Sequence, residues 1–208
     1  MTYHAKNFHH LLGMKNFSDQ LLQNHFTLYE GYVKNTNQLI ERLTCDLKEG
    51  KESTPEYAEL TRRLGWEFNG MRLHEYYFGN MNKEAGNLSV KSGLYKKIIE
   101  SFGSFEIWEK DFEATGTMRG IGWVILYSDP IANCLFNLWI NEHDLGHLAG
   151  GSMLLVMDVF EHAFMLDYGL EKAAYVAAFF KVIDWAEVEN RFTLAKGGIK
   201  NACTQTSP

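Results

Sequence analysis

The sequence predicts an α+β protein: an N-terminal antiparallel hairpin of two long helices, then a C-terminal domain with a small antiparallel sheet of about three strands flanked by helices. Three observations carry this prediction. Apolar residues recur at three- and four-residue steps behind Ser18, the period switches to two beyond Gly120 and Gly122, and helical spacing returns after Asp158.

Ser18 and Asp19 are start signals for the first helix, whose stripe is Leu21, Leu22, His25, Leu28, Tyr29, Tyr32, Thr36, Leu39, Ile40 and Leu43. Lys48 to Ser53 is a charged turn. Thr54-Pro55-Glu56 then reads as cap, proline at the first helical position and first-turn acid, opening a second helix that reaches about Tyr77. So short a loop folds the two helices back on each other, although the hairpin by itself is an incomplete core. Gly79 to Asn87, polar and rich in Asn and Gly, marks the expected boundary between domains 1–85 and 86–208.

Shorter helices near Ser89 to Ser101 and Ser104 to Ala114 lead to the sheet. Trp123 to Tyr127 is the first strand, and Ser128-Asp129-Pro130 turns it into a second over Pro130 to Asn141. Alternation there places Ala132, Cys134, Phe136, Leu138 and Ile140 on an apolar face, with Asn133, Leu135, Asn137, Trp139 and Asn141 opposite. Met153 to Met157 is a third run, ending in Asp158. Helices resume over Glu161 to Tyr168 and Glu171 to Arg191, with a break near Asp184-Trp185 and a frayed tail from Lys196.

Composition narrows the function classes. The 208 residues are 46% hydrophobic, 22% charged and 14% aromatic, with a mean hydropathy of −0.25. This is globular composition, and the longest apolar stretch, Ala173 to Phe180, is too short to cross a bilayer. Twenty basic against 26 acidic residues leave a net charge of −6, the opposite of what nucleic acid or an anionic membrane attracts. Any anionic ligand must be drawn by a local field. Cys45, Cys134 and Cys203 are widely spaced and form no CxxC pair, and the start of the chain lacks the apolar core of a secretory signal, so a reducing cytoplasmic setting is expected.

The chemistry concentrates at Asp158-Val-Phe-Glu-His162. A carboxylate ending an apolar strand needs a positive partner or a donor, which a metal shared with His162 supplies; the other reading is an Asp capping the next helix beside a core histidine. His25 lies on the first helix's buried stripe, Tyr32 returns to the same face seven residues later, and His74 falls late in the second helix behind Gly70. Three histidines and one aspartate make a mixed nitrogen and oxygen donor set suited to iron, manganese or zinc. A separate segment, His143-Asp144-Leu145-Gly146-His147, imitates the helical HExxH zinc-hydrolase motif, but the strand before it and Gly150-Gly151-Ser152 after it predict a loop.

The segment Asp158-Val-Phe-Glu-His162-Ala-Phe-Met-Leu-Asp-Tyr168 is similar to the DxWEHAYYLxY signature of the iron/manganese superoxide dismutase family. His25-Phe-Thr-Leu-Tyr29-Glu-Gly-Tyr32 resembles the family's first-helix segment, Leu73-His74 with Tyr77-Phe78 its NHxxYW, Gly122-Trp123 the GW that opens the sheet, and Asp184-Trp185 with Arg191 its closing helix. The resemblance runs from about Phe17 to Leu194. It implies His25, His74, Asp158 and His162 as ligands of one iron or manganese ion per chain, and superoxide as substrate. It further implies Tyr32 at the substrate entrance, Trp123, Phe78 and Phe160 as an apolar wall, and His143 as the donor to the metal-bound solvent. Glu161 would pair with the partner subunit's ligand histidine in a homodimer or homotetramer.

Departures accompany the likeness. His25 to Tyr32 is one residue shorter than the family spacing, which implies loss of a helical bulge. Tyr29 stands near the usual second histidine, Met165 at the tyrosine that pairs with it across the dimer, Phe160 at the signature tryptophan and Lys172 at the usual arginine, keeping the charge but not the fork. A non-catalytic iron- or manganese-binding relative is therefore the second reading, and a zinc hydrolase using His143 and His147 the third.

Overall fold

A computed structural model describes residues 2–203, with side chains described through 196. Helices α1 (Asp19–Lys48) and α2 (Pro55–Gly79) pack against each other, each with a hydroxyl cap: Ser18 accepts from the Leu21 amide and Thr54 from the Tyr57 amide. Such caps contribute about 1 kcal/mol each. The α1 stripe turns slightly from its expected face, burying Phe26 and Val33 while Leu28 stays 43% exposed. Helix α1 is continuous through Tyr32, as the shortened His25 to Tyr32 spacing implies.

Two short helices, α3 (Gly93–Phe102) and α4 (Phe105–Gly116), follow, capped by Ser92 and Ser104. They lead into β1 (Gly122–Asp129), β2 (Cys134–Asn141) and β3 (Ser152–Asp158), an antiparallel sheet of order β2-β1-β3. The central β1 is buried almost throughout, which explains its unbroken apolar run. Gly122 opens it with a φ of +148°, and a Cβ there would sit 1.9 Å from the Ile140 carbonyl oxygen, so only glycine serves.

Strand β2 corrects the alternation read from sequence. Residues 130–133 form the turn rather than strand, held by the Asp129 carboxylate accepting from the Ile131 and Ala132 amides. Within β2 Ile140 is buried on the expected face, but so is Leu135 on the opposite one, while Phe136 is 44% exposed, because α3 and α4 cover the face that Leu135 shares with Asn137.

After β3 the expected helix over Glu161 to Tyr168 is a 3₁₀ turn (Glu161–Ala163) followed by the single turn α5 (Met165–Tyr168). Helices α6 (Lys172–Phe180) and α7 (Trp185–Cys203) come next, broken at Asp184 as expected; α7 continues to Cys203 instead of fraying at Lys196. The buried Asn80 fastens the end of α2 to β3, donating to the Val156 carbonyl and accepting from the Val156 amide and from Arg191 of α7. This lock sets His74 and Asp158, on different elements, in fixed relation. Among the described residues no helix is long and apolar enough to cross a membrane.

Candidate metal centre

Four side chains from four segments converge: His25 from α1, His74 from α2, Asp158 from the end of β3 and His162 from the turn after it. One donor atom from each lies within 4.8 Å of the others. All three imidazole Nε2 atoms point at the same oxygen, Asp158 Oδ2, at 3.2 Å for His25, 3.7 Å for His74 and 3.2 Å for His162. The other carboxylate oxygen accepts from the Phe160 amide at 2.8 Å, and the Asp158 carbonyl accepts from the Tyr175 hydroxyl at 2.5 Å. The first bond orients the carboxylate and the second anchors the backbone that carries it.

Hydrogen-bond chemistry decides what belongs among these atoms. His74 Nδ1 lies 2.6 Å from the Gly70 carbonyl oxygen, which only accepts, so Nδ1 carries the hydrogen and Nε2 a bare lone pair. That Nε2 is buried with no hydrogen-bond partner among the described residues, facing a carboxylate oxygen. Two lone pairs aimed at each other in a dry interior are repulsive unless a cation lies between them. A cation that takes nitrogen and oxygen together fits.

Burial holds His25 below its ordinary pKa and His74 well below it, so both are neutral donors at neutral pH. Burial would raise the Asp158 carboxyl, but the neighbouring His162 and His25 outweigh it and hold the group far below the usual carboxylate range. For His162, burial lowers and the Asp158 charge raises, with the second prevailing.

A second layer of contacts surrounds the four. The Trp123 indole donates to His143 Nδ1 at 3.0 Å. An indole N–H cannot accept, so neutral His143 carries its hydrogen on Nε2, which donates to the Tyr32 hydroxyl at 2.8 Å. The Tyr32 hydroxyl is left with its own hydrogen to give, and its ring stacks on His74 with centroids 5.1 Å apart. Both His143 nitrogens are therefore taken, Nδ1 by Trp123 and Nε2 by Tyr32. Gly70 makes room for this arrangement, since a Cβ there would lie 2.5 Å from Tyr32 Cδ1. Phe78 packs edge-on against His25 at 4.8 Å, and Phe160 stacks on both His143 and His162 at 4.9 and 5.2 Å.

A profile described as "Iron/manganese superoxide dismutases, C-terminal domain" matches residues 90–191. The chain is 35% identical over 181 residues to "Superoxide dismutase [Mn] 2" of Haloferax volcanii, covering 86% of this chain and 89% of that protein. It is 32% identical to "Superoxide dismutase [Fe]" of Pyrobaculum aerophilum, over 87% of this chain and 86% of the relative. It is 36% identical to "Superoxide dismutase [Fe]" of Cupriavidus metallidurans, over 88% and 91%.

The chain belongs to the iron/manganese superoxide dismutase family. Its cluster of three histidines and one aspartate is accordingly a mononuclear iron or manganese site, and its chemistry that of an antioxidant oxidoreductase.

The departures have structural consequences. Tyr29 turns inward: its hydroxyl donates to Glu75 at 3.1 Å and accepts from the Lys6 amide at 2.9 Å, and burial raises its pKa to about 12. Met165 is 44% exposed. Lys172 donates to the Met118 carbonyl at 2.8 Å and rides over the Trp139 ring at 5.1 Å. Glu161 is exposed and lines an open hollow of about 680 Å³ with Leu21, Leu28, His162, Met165 and Leu166.

The zinc-hydrolase alternative is removed, because residues 142–144 form a turn, not a helix. His147 is spent on Tyr127 and on the His143 carbonyl, at 2.6 and 2.9 Å. Sequence reasoning missed Asn80, Tyr175 and Trp66.

Proposed function

We propose that His25, His74, Asp158 and His162 hold one iron or manganese ion, at which the protein converts two superoxide anions and two protons to dioxygen and hydrogen peroxide. The observation that carries this is the convergence of three Nε2 atoms on one Asp158 oxygen, one of them a buried lone pair with no partner among the described residues. When bound, iron or manganese supplies one-electron chemistry, alternating between the +3 and +2 states.

The chain's own residues supply the rest. Neutral imidazoles and one anion leave the ion enough positive charge to attract an anionic substrate to a chain that is acidic overall. Tyr32 stands at the entrance as the proton donor, and His143 Nε2–H restores the hydrogen bond to its oxygen. Trp123 fixes the His143 tautomer that makes this direction of donation the only one open. Trp123, Phe78 and Phe160 line the site with rings that exclude water.

The apolar hollow beside His162, with Leu28, Met165 and Leu166 exposed, supports a homodimer in which Glu161 reaches the partner's ligand histidine, or a homotetramer built on it. Without the Tyr29 and Met165 contacts, Glu161 is the polar link that remains. The free thiols Cys45 and Cys134 support a reducing, cytoplasmic setting; the Cys203 side chain lies outside the described residues.

Reconstitution with iron and with manganese separately, followed by elemental analysis and a superoxide-consumption assay, tests the reading. About one ion per chain with activity in one or both forms is expected. Stoichiometric metal without superoxide consumption refutes catalysis and leaves a metal-binding relative.

A further inference from the structure

His143 sits on the loop between β2 and β3, outside regular structure, yet it is fully buried while its neighbours Glu142 and Asp144 are exposed. A loop residue whose nitrogens must meet Trp123 and Tyr32 within a few tenths of an ångström needs an external grip. Trp66 of α2 supplies one. Its ring lies edge-on to His143 with centroids 4.4 Å apart and 5.6 Å from the Tyr32 ring, while its indole N–H donates to Glu142 Oε2 at 3.1 Å.

Trp66 is itself held from outside. The Arg63 guanidinium lies 3.8 Å over its ring and is anchored one turn on by the buried Glu67, at 2.7 Å, which also accepts from Asn35 of α1. Glu142 adopts a left-handed φ of +51°, a backbone conformation that a non-glycine residue keeps only when its surroundings enforce it. One indole thus touches the side chain before His143 and the His143 ring at once, joining α2 to the loop.

We infer that Trp66, pinned by Glu142 and Arg63, is a positioning residue that aims His143 at Tyr32. The inference rests on the dismutase reading, and Trp66 acts through the His143–Tyr32 hydrogen bond, not by touching substrate.

Metal-loaded parent protein is compared with Trp66→Ala, Glu142→Ala, His143→Ala, Tyr32→Phe and the double variant Trp66→Ala/Tyr32→Phe. Trp66→Ala and Glu142→Ala are each expected to lower kcat about tenfold at parental metal content. In the Tyr32→Phe background, Trp66→Ala should cost less than about twofold, because the pair it aims is already broken. The midpoint reduction potential, read without turnover, should move in Trp66→Ala and Glu142→Ala in the direction that His143→Ala moves it.

Losses that multiply in the double variant, or a potential that stays at the parental value in both single variants, overturn the inference. Should Trp66→Ala fail to fold, Glu142→Ala, a surface change, decides alone. A metal-loaded parent that consumes no superoxide refutes the dismutase reading instead, and the potential still tests the positioning role.

Discussion

Replacing Gly70 by alanine tests the geometry around Tyr32 with a single methyl group. The new Cβ would lie 2.5 Å from Tyr32 Cδ1 and 2.7 Å from Cε1. Carbon atoms settle at roughly 3.5–4.0 Å, so the ring must retreat by about 1 Å. Its hydroxyl is 2.8 Å from His143 Nε2, and a retreat of that size carries the pair beyond the reach of a hydrogen bond, about 3.5 Å. Turnover should fall about 10- to 100-fold. Stability should fall by no more than about 2 kcal/mol, since overpacking costs about 1–3 kcal/mol and the better helix former returns about 1. Metal content should hold at the parental value because His74 is oriented by the Gly70 carbonyl, which the substitution keeps. Gly65→Ala, on the same helix with nothing within 4 Å of its Cβ, is the control and should leave turnover alone. The assay is superoxide consumption by metal-loaded, folded protein. Parental turnover in Gly70→Ala would refute the claim that the Tyr32–His143 contact matters to the reaction.

Other consequences are as concrete. Tyr29→Phe removes a buried hydroxyl that serves both Glu75 and the Lys6 amide, and should lower unfolding stability by about 1–3 kcal/mol in urea while metal content stays constant. Trp123→Phe removes the donor that holds His143 Nδ1 as an acceptor; the imidazole can then take the other tautomer and reverse its bond to Tyr32, so turnover should drop about tenfold without loss of metal. Burial lowers the His143 pKa to about 4 from an ordinary 6.5. Between those values the unfolded chain binds the proton and the native protein does not. His143 therefore makes stability fall as pH drops from about 6.5 to about 4, by up to about 1.4 kcal/mol per pH unit, with no effect above 6.5. Urea denaturation across that window should show a shallower pH slope in His143→Gln than in the parent.

Much of this was legible in the sequence because it rests on local signals. Ser18, Thr54-Pro55 and Gly122 announce element starts through capping and backbone freedom, which neighbours alone decide. Asp158 and His162 stand out because they are close in sequence at the end of an apolar run, and His25 because it sits on an apolar stripe, but it is the family resemblance that joins them with His74 as one ligand set. What escaped depends on contacts between distant segments. The facing of Leu135 and Phe136 is set by α3 and α4 packing on β2, not by alternation within the strand. Tyr29 lies on the same stripe as His25, and nothing in its spacing shows that Glu75 and the Lys6 amide draw it inward. Trp66 and Glu142 are 76 residues apart, and their contact exists only once α2 lies across the loop.

The central claim is that one ion lies among His25, His74, Asp158 and His162. Anomalous diffraction from crystals of the iron- or manganese-loaded protein, recorded on both sides of the metal's absorption edge, tests it most directly. The account predicts one strong peak per chain about 2 Å from the three Nε2 atoms and Asp158 Oδ2. A peak elsewhere, or none among these four side chains in protein that consumes superoxide, would contradict it.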